Sequence, residues 1–135
     1  VWGNLDYLFV DMPPGTSDIQ LTVLNNIPLT GVVMVSSPQD LVSMVVSKCV
    51  NMVNKVNVPI VGIIENMAYV KCPCCGKKID LYGKSHLNDI SLKHHLIPLA
   101  SLGIDSHLTE LMDSGNIEEY DTNDLDVAIE QIKLL

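Results

Sequence analysis

The sequence predicts an α/β fold: a doubly wound, mostly parallel sheet with helices on both faces. Three observations carry this expectation. Residues 6–11, 31–36 and 60–65 are near-continuous apolar runs of strand length, as in strands covered on both faces. The intervals between them place apolar residues at three- and four-residue spacing, a helix period. Strand, helix, strand, helix, strand in this order is a βαβαβ pattern, which closes with right-handed crossovers. The 135 residues are 47% hydrophobic but only 4% aromatic, so the core must be aliphatic.

Residues 6–11 (DYLFVD) read as the first buried strand, ending in a carboxylate. Met12-Pro13-Pro14-Gly15 stops it, because two prolines remove donors and glycine permits unusual φ. Thr16, Ser17 and Asp18 can cap a helix of about ten residues with Ile19, Val23 and Leu24 on its inner face. Residues 31–36 form the second strand. Ser36-Ser37-Pro38-Gln39-Asp40 then starts a helix, with Pro near the first turn and an early acid. It runs to about Lys55 with Leu41, Val42, Val45, Val46, Cys49, Val53 and Val56 as its core face, so Cys49 reads as a buried structural cysteine.

Val58-Pro59 ends that helix, and residues 60–65 form the third strand. Residues 66–80 interrupt the pattern with cysteines and lysines. Residues 84–94 are weakly helical, and an edge strand is expected near residues 100–104. Asp105 caps a short helix through Met112, and residues 114–121 form a loop. Thr122 caps a terminal helix with Leu125, Ala128, Ile129, Ile132 and Leu135 on one stripe. Glu118, Glu119, Asp121, Asp124 and Asp126 read as a solvated face and a negative helix N-terminus.

Charge and cysteine usage narrow the function. Sixteen acidic residues against eight basic ones give a formal charge of −8, which excludes the electrostatic footprint of a nucleic-acid binder. All eight basic residues are lysines, so the chain has no arginine finger or bidentate arginine clamp. No run of about 18 uncharged apolar residues suggests a membrane span, and no basic-apolar leader opens the sequence. Three of the four cysteines (49, 72, 74, 75) fall within four positions, a poor disulfide framework. A reduced, cytoplasmic chain with a metal or redox site is the expectation.

Three motifs carry chemistry. Asp11 would close a buried strand at the sheet edge where open α/β folds bind ligands, and apolar residues followed by Asp is the Walker B pattern for holding Mg²⁺. Gly15 would let a backbone N–H approach a phosphate. Cys72-Pro73-Cys74-Cys75-Gly76 can converge two thiolates on one metal, with Gly76 turning the backbone back toward sulfur. Lys71, Lys77, Lys78 and Lys84 flank it and favour thiolates. Two cysteines are half a site, so the remaining ligands must come from Cys74, from a histidine such as His86, or from a second copy of the chain. A thioredoxin-like dithiol would instead open a helix, and Gly-Lys-Lys-Ile-Asp after the motif reads as hairpin or loop. Asn66, at the end of the third strand, offers a donor and an acceptor that suit the edge of adenine. His94, His95 and His107 have no ligand spacing.

Taken together, DYLFVDMPPGTSD, the Ser-Ser-Pro-Gln-Asp helix start, VGIIENM, CPCCG and DLYGK resemble the Mrp/ApbC-type P-loop ATPases in order and spacing, to about Gly115. These are iron–sulfur cluster carriers of the MinD-like branch. The resemblance implies a P-loop NTPase fold, a homodimer, and ATP hydrolysis with Mg²⁺ linked to delivery of a labile [4Fe–4S] cluster. The cluster is bridged by two cysteines from each subunit. Apo iron–sulfur proteins and cluster scaffold proteins are the implied partners, with no nucleic acid and no membrane. Carried over by position, Cys72 and Cys75 would be the cluster ligands. Asp11 would be the catalytic, nucleotide-binding Walker B carboxylate, Gly15 would face the γ-phosphate, and Asn66 would meet adenine.

The family's Gly-rich K-G-G-V-G-K-S/T loop is absent from these 135 residues and is expected before Val1. Residues 1–135 are therefore expected to be the N-terminally truncated, distal part of a single P-loop NTPase domain, with a cysteine insertion at about 66–84, unable to hydrolyse ATP alone. Two further positions depart from the family: Tyr82-Gly83-Lys84 leads to Ser85-His86 instead of glycines, and Gly103 stands where proline is common. A MinD/ParA-like positioning ATPase and a zinc-stabilised structural module are the competing readings.

Overall fold

A computed structural model describes residues 3–135. Helix α1 (Asp18–Asn26) leads to strand β1 (Val32–Ser36), helix α2 (Asp40–Lys55) and strand β2 (Ile60–Glu65). A short antiparallel hairpin of β3 (Val70–Lys71) and β4 (Lys78–Ile79) follows. The chain continues through α3 (Leu87–His94), strand β5 (Pro98–Ser101), α4 (Ser106–Ser114), a 3-10 turn (Ile117–Glu119) and α5 (Asp126–Lys133). Strands β1, β2 and β5 form one parallel sheet in that order.

Helices cover both faces, as the continuous apolar strands require. On one face, Met34 and Ile63 meet Leu24 of α1, Val46, Val50 and Val53 of α2, and Leu87 and Ile90 of α3. On the other, Val61 and Leu99 meet Ala128 of α5, with Leu125 and Ile132 packed around them. Ile63, on the central strand, is fully buried; burial of such a side chain contributes about 1.5–3 kcal/mol. Gly62 lets β5 close on β2, because a Cβ there would lie 2.4 Å from the Ile97 carbonyl oxygen and 2.6 Å from Leu99 Cγ.

The main departure from expectation is residues 6–11, which form no strand. They run as exposed coil, with Phe9 75% exposed. An apolar run becomes a strand only where another strand completes its ladder. Among the described residues nothing pairs with this segment, and β1 is a sheet edge whose Val35 is 62% exposed.

Smaller departures follow from which face each helix turns inward. In α1 the buried pair is Gln20 and Leu24, one turn apart, while Ile19 is 59% exposed. In α2, Val46, Val50 and Val53 are buried, Cys49 is half-buried, and Leu41 and Val45 point outward. The edge strand lies at Pro98–Ser101 rather than 100–104; Ile104 makes only a single parallel bridge to Val70. Asp105 caps α4 as expected, accepting the His107 N–H at 2.9 Å. Thr122 does not cap α5: its Oγ1 accepts the Asp124 N–H, and the helix starts after Leu125. No helix among the described residues is long and apolar enough to cross a membrane.

Candidate functional site

The C-terminal edge of the parallel sheet gathers the ends of β1 and β2. Asn66 follows β2 directly, and its N–H donates to the Ser36 carbonyl at 2.8 Å, tying the two strand ends together. Its side-chain oxygen accepts the Met67 N–H at 2.9 Å, in a turn that puts Met67 at φ +55. Asn66 is thus half-buried at the edge where open α/β sheets bind ligands.

The Pro-Pro-Gly turn is held from two sides. The Gly15 carbonyl accepts the Cys49 thiol at 3.3 Å, docking the turn on the middle of α2. Burial raises the pKa of that thiol. Gln20 donates to the Pro13 carbonyl and accepts the Ser17 N–H at 2.8 Å, although it is almost fully buried. Its signal was present, because Ser17-x-x-Gln20 has capping-box spacing. Gly15 itself has φ +97 and open space where a Cβ would stand. Asp11 is different. It is exposed, sits in coil rather than at a strand end, and has no hydrogen-bond or ion-pair partner among the described residues. The structure therefore fixes Asn66 and Gly15 but does not bring Asp11 to a strand terminus.

Glu65 is the second residue the sequence reading passed over. It is completely buried at the end of β2, and its Oε1 accepts the His86 N–H at 3.0 Å. This carboxylate holds the start of α3, where the chain returns from the cysteine hairpin. Its Oε2 is buried without a hydrogen-bond partner among the described residues. His86 is engaged elsewhere, with Nε2 2.8 Å from Asp40 Oδ1 and Nδ1 3.9 Å from Asp89 Oδ2. It is a bridge between α2 and α3 rather than a ligand beside the cysteines.

The cysteines occupy the tip of the β3–β4 hairpin. The Cys72 N–H donates to the Lys77 carbonyl at 2.9 Å, and the Gly76 N–H donates back to the Cys72 carbonyl at 2.8 Å. Gly76, at φ +70, makes the reversal possible. Backbone hydrogen bonding from Cys75, then Cys74, holds the Cys72 thiol below its ordinary pKa. The motif opens no helix, so the thioredoxin-like arrangement is not the one formed. Cys74 and Cys75 are exposed, and Cys72 is half-buried. Lys78 lies with Nζ 3.8 Å from the centre of the buried Tyr69 ring, fastening the hairpin to the body. Tyr69 in turn packs on Gly103, where a Cβ would come within 2.7 Å of the ring. This contact gives the glycine at that position a steric reason.

Among the described residues, no group of three or more His, Cys, Asp or Glu side chains is placed to hold a metal ion. Cys72 and Cys75 have the donor chemistry for thiolate ligation, but one chain contributes an incomplete set.

Comparison with known proteins fits this arrangement. The chain is 47% identical over 119 residues to an iron-sulfur cluster carrier protein of Clostridium perfringens, covering 88% of this chain and 42% of that protein. It is 42% identical over 114 residues to the iron-sulfur cluster transfer protein NUBPL of Mus musculus, covering 84% and 36%. A solved nucleotide-binding protein from Archaeoglobus fulgidus, in complex with ADP, superposes with a TM-score of 0.81 at 41% identity, covering 90% of this chain and 50% of that one. The chain therefore spans half or less of the length of these relatives. The model of the ParA family, described as NUBPL iron-transfer P-loop NTPase, matches residues 1–133, and the chain belongs to that family.

Proposed function

We propose that this chain is the cysteine-bearing, distal part of the NTPase domain of an ATP-dependent iron–sulfur cluster carrier. The observation that supports this best is the hairpin tip. There Cys72 and Cys75 stand on a turn closed by the Gly76 N–H to Cys72 carbonyl bond, within a chain of the iron-transfer NTPase family. Cys72 and Cys75 would hold the cargo, a labile [4Fe–4S] cluster. Because one chain offers an incomplete ligand set, two copies would each supply a pair, giving a homodimer with the cluster between the hairpins.

At the sheet edge, Asn66 would meet adenine, Gly15 would lie toward the γ-phosphate, and Asp11 would serve Mg²⁺ as the catalytic carboxylate. These 135 residues contain no Gly-rich Lys loop of the kind that cradles the β- and γ-phosphates, and ATP hydrolysis would require one. Glu65 links the two regions through one hydrogen bond. It ends the strand that presents Asn66 and holds the backbone that returns from the cysteines. Recipients would be apo iron–sulfur proteins, with scaffold proteins as donors, in the cytoplasm.

A positioning ATPase would leave the cysteine turn without a role. A membrane anchor on α5 is also disfavoured, because Leu125, Ala128 and Ile132 are committed to packing on the sheet. Anaerobic reconstitution of the protein with iron and sulfide tests the reading. Absorbance in the iron–sulfur charge-transfer region, lost in Cys72→Ala/Cys75→Ala, is expected. Stoichiometric zinc without iron would favour a structural zinc module instead.

A further inference from the structure

The hairpin that carries the cysteines is a basic island on an acidic protein. Residues 71–84 contain four lysines against Asp80, a net +3, whereas the other four lysines face fifteen acids, a net −11. Lys71, Lys77, Lys78 and Lys84 are all exposed. Interleaved with them, Ile79, Leu81 and Tyr82 are exposed as well. Exposed apolar and aromatic side chains interleaved with cations fit a protein docking surface better than a solvated turn.

Resting on the carrier reading above, we infer that this hairpin is the surface on which cluster-exchanging proteins dock, and that their complementary surface is a compact acidic patch around the receiving cysteines. The lysines exceed what the cargo itself requires. A [4Fe–4S] core with four thiolates carries about two negative charges. Two copies of the hairpin bring two net charges of +3, from lysine and aspartate alone. All four lysines are exposed, so the excess is open to a partner.

The remainder of the chain decides which anion fits. Screening reaches about 8–10 Å at physiological salt. A patch the size of the hairpin therefore meets four lysines and one aspartate, whereas a long polyanion or an anionic membrane also meets the −11 body. Ile79, Leu81 and Tyr82 add contacts suited to a protein.

The test uses the whole protein and the charge-reversal variant Lys71→Glu/Lys77→Glu/Lys84→Glu, leaving Lys78 on Tyr69. The probe is an acidic apo-ferredoxin able to accept a [4Fe–4S] cluster. Cluster content of each protein is measured first, and transfer is compared per loaded cluster. Transfer by the wild type should slow about tenfold or more between roughly 20 and 300 mM salt. The variant should be slower by about tenfold at low salt and nearly insensitive to salt. Equal rates and equal salt dependence for the two proteins would overturn the inference. So would a larger lysine dependence for duplex DNA or phosphatidylglycerol vesicles than for the acidic probe. Titration of the unloaded protein against the probe measures docking without cargo. If the wild type takes up no cluster, the carrier reading fails while this titration still decides the docking surface.

Discussion

Replacing Gly76 with alanine isolates the backbone geometry of the cysteine turn. Gly76 has φ +70, and a Cβ added there meets nothing within 4 Å. Collision with neighbours therefore contributes nothing. The cost is that of holding an L-residue in the left-handed region, about 1–2 kcal/mol. That corresponds to about a 5- to 30-fold loss in population of the turn that holds Cys72 and Cys75 together. The hairpin tip lies outside both core clusters, so global stability should hardly change. The assay is iron retention of the reconstituted protein against a graded chelator, alongside the thermal midpoint. Gly76→Ala should release iron at a chelator concentration lower by about that factor, with an unchanged midpoint. Gly76→Asn should lose less, since asparagine tolerates this conformation. Wild-type retention in the alanine variant would refute the reasoning, as would asparagine and alanine behaving alike.

Three further outcomes are expected. Gly62→Ala forces a Cβ to 2.4 Å from the Ile97 carbonyl oxygen; overpacking of this kind costs about 1–3 kcal/mol, and an unchanged urea midpoint would contradict it. The Asp105 carboxyl is held below its usual range, first by the Tyr120 hydroxyl at 2.9 Å and then by the His107 N–H. Its stabilisation is present above the unfolded carboxylate pKa of about 3.9 and is lost as pH falls through the depressed value. Tyr120→Phe should therefore lower the urea midpoint at pH 6 and have little effect near pH 2, and an equal loss at both would count against this link. The 135-residue chain alone should hydrolyse no ATP, and activity abolished by Asp11→Ala would contradict that.

Much of the sheet was legible because its signals are local. The apolar runs at 31–36 and 60–65 became β1 and β2, and Ser-Ser-Pro-Gln-Asp started α2 as expected. Residues 6–11 carry the same kind of signal without forming a strand, since strand formation depends on a neighbour to pair with, and no window of sequence contains one. The cysteine turn was legible from Cys-x-x-Cys-Gly, whose glycine announces the reversal. Glu65 and Gln20 were passed over because a polar residue in an apolar pattern looks solvated until tertiary packing buries it. Their partners, His86 and Pro13, lie 21 and 7 positions away. Likewise, the Tyr69 ring that explains Gly103 comes from a distant segment.

Native mass spectrometry of the anaerobically reconstituted protein tests the shared-cargo arrangement most directly. The account predicts one four-iron, four-sulfide cluster per two chains, absent from Cys72→Ala/Cys75→Ala. A complete cluster on a single chain, or undiminished iron in the double variant, would contradict it.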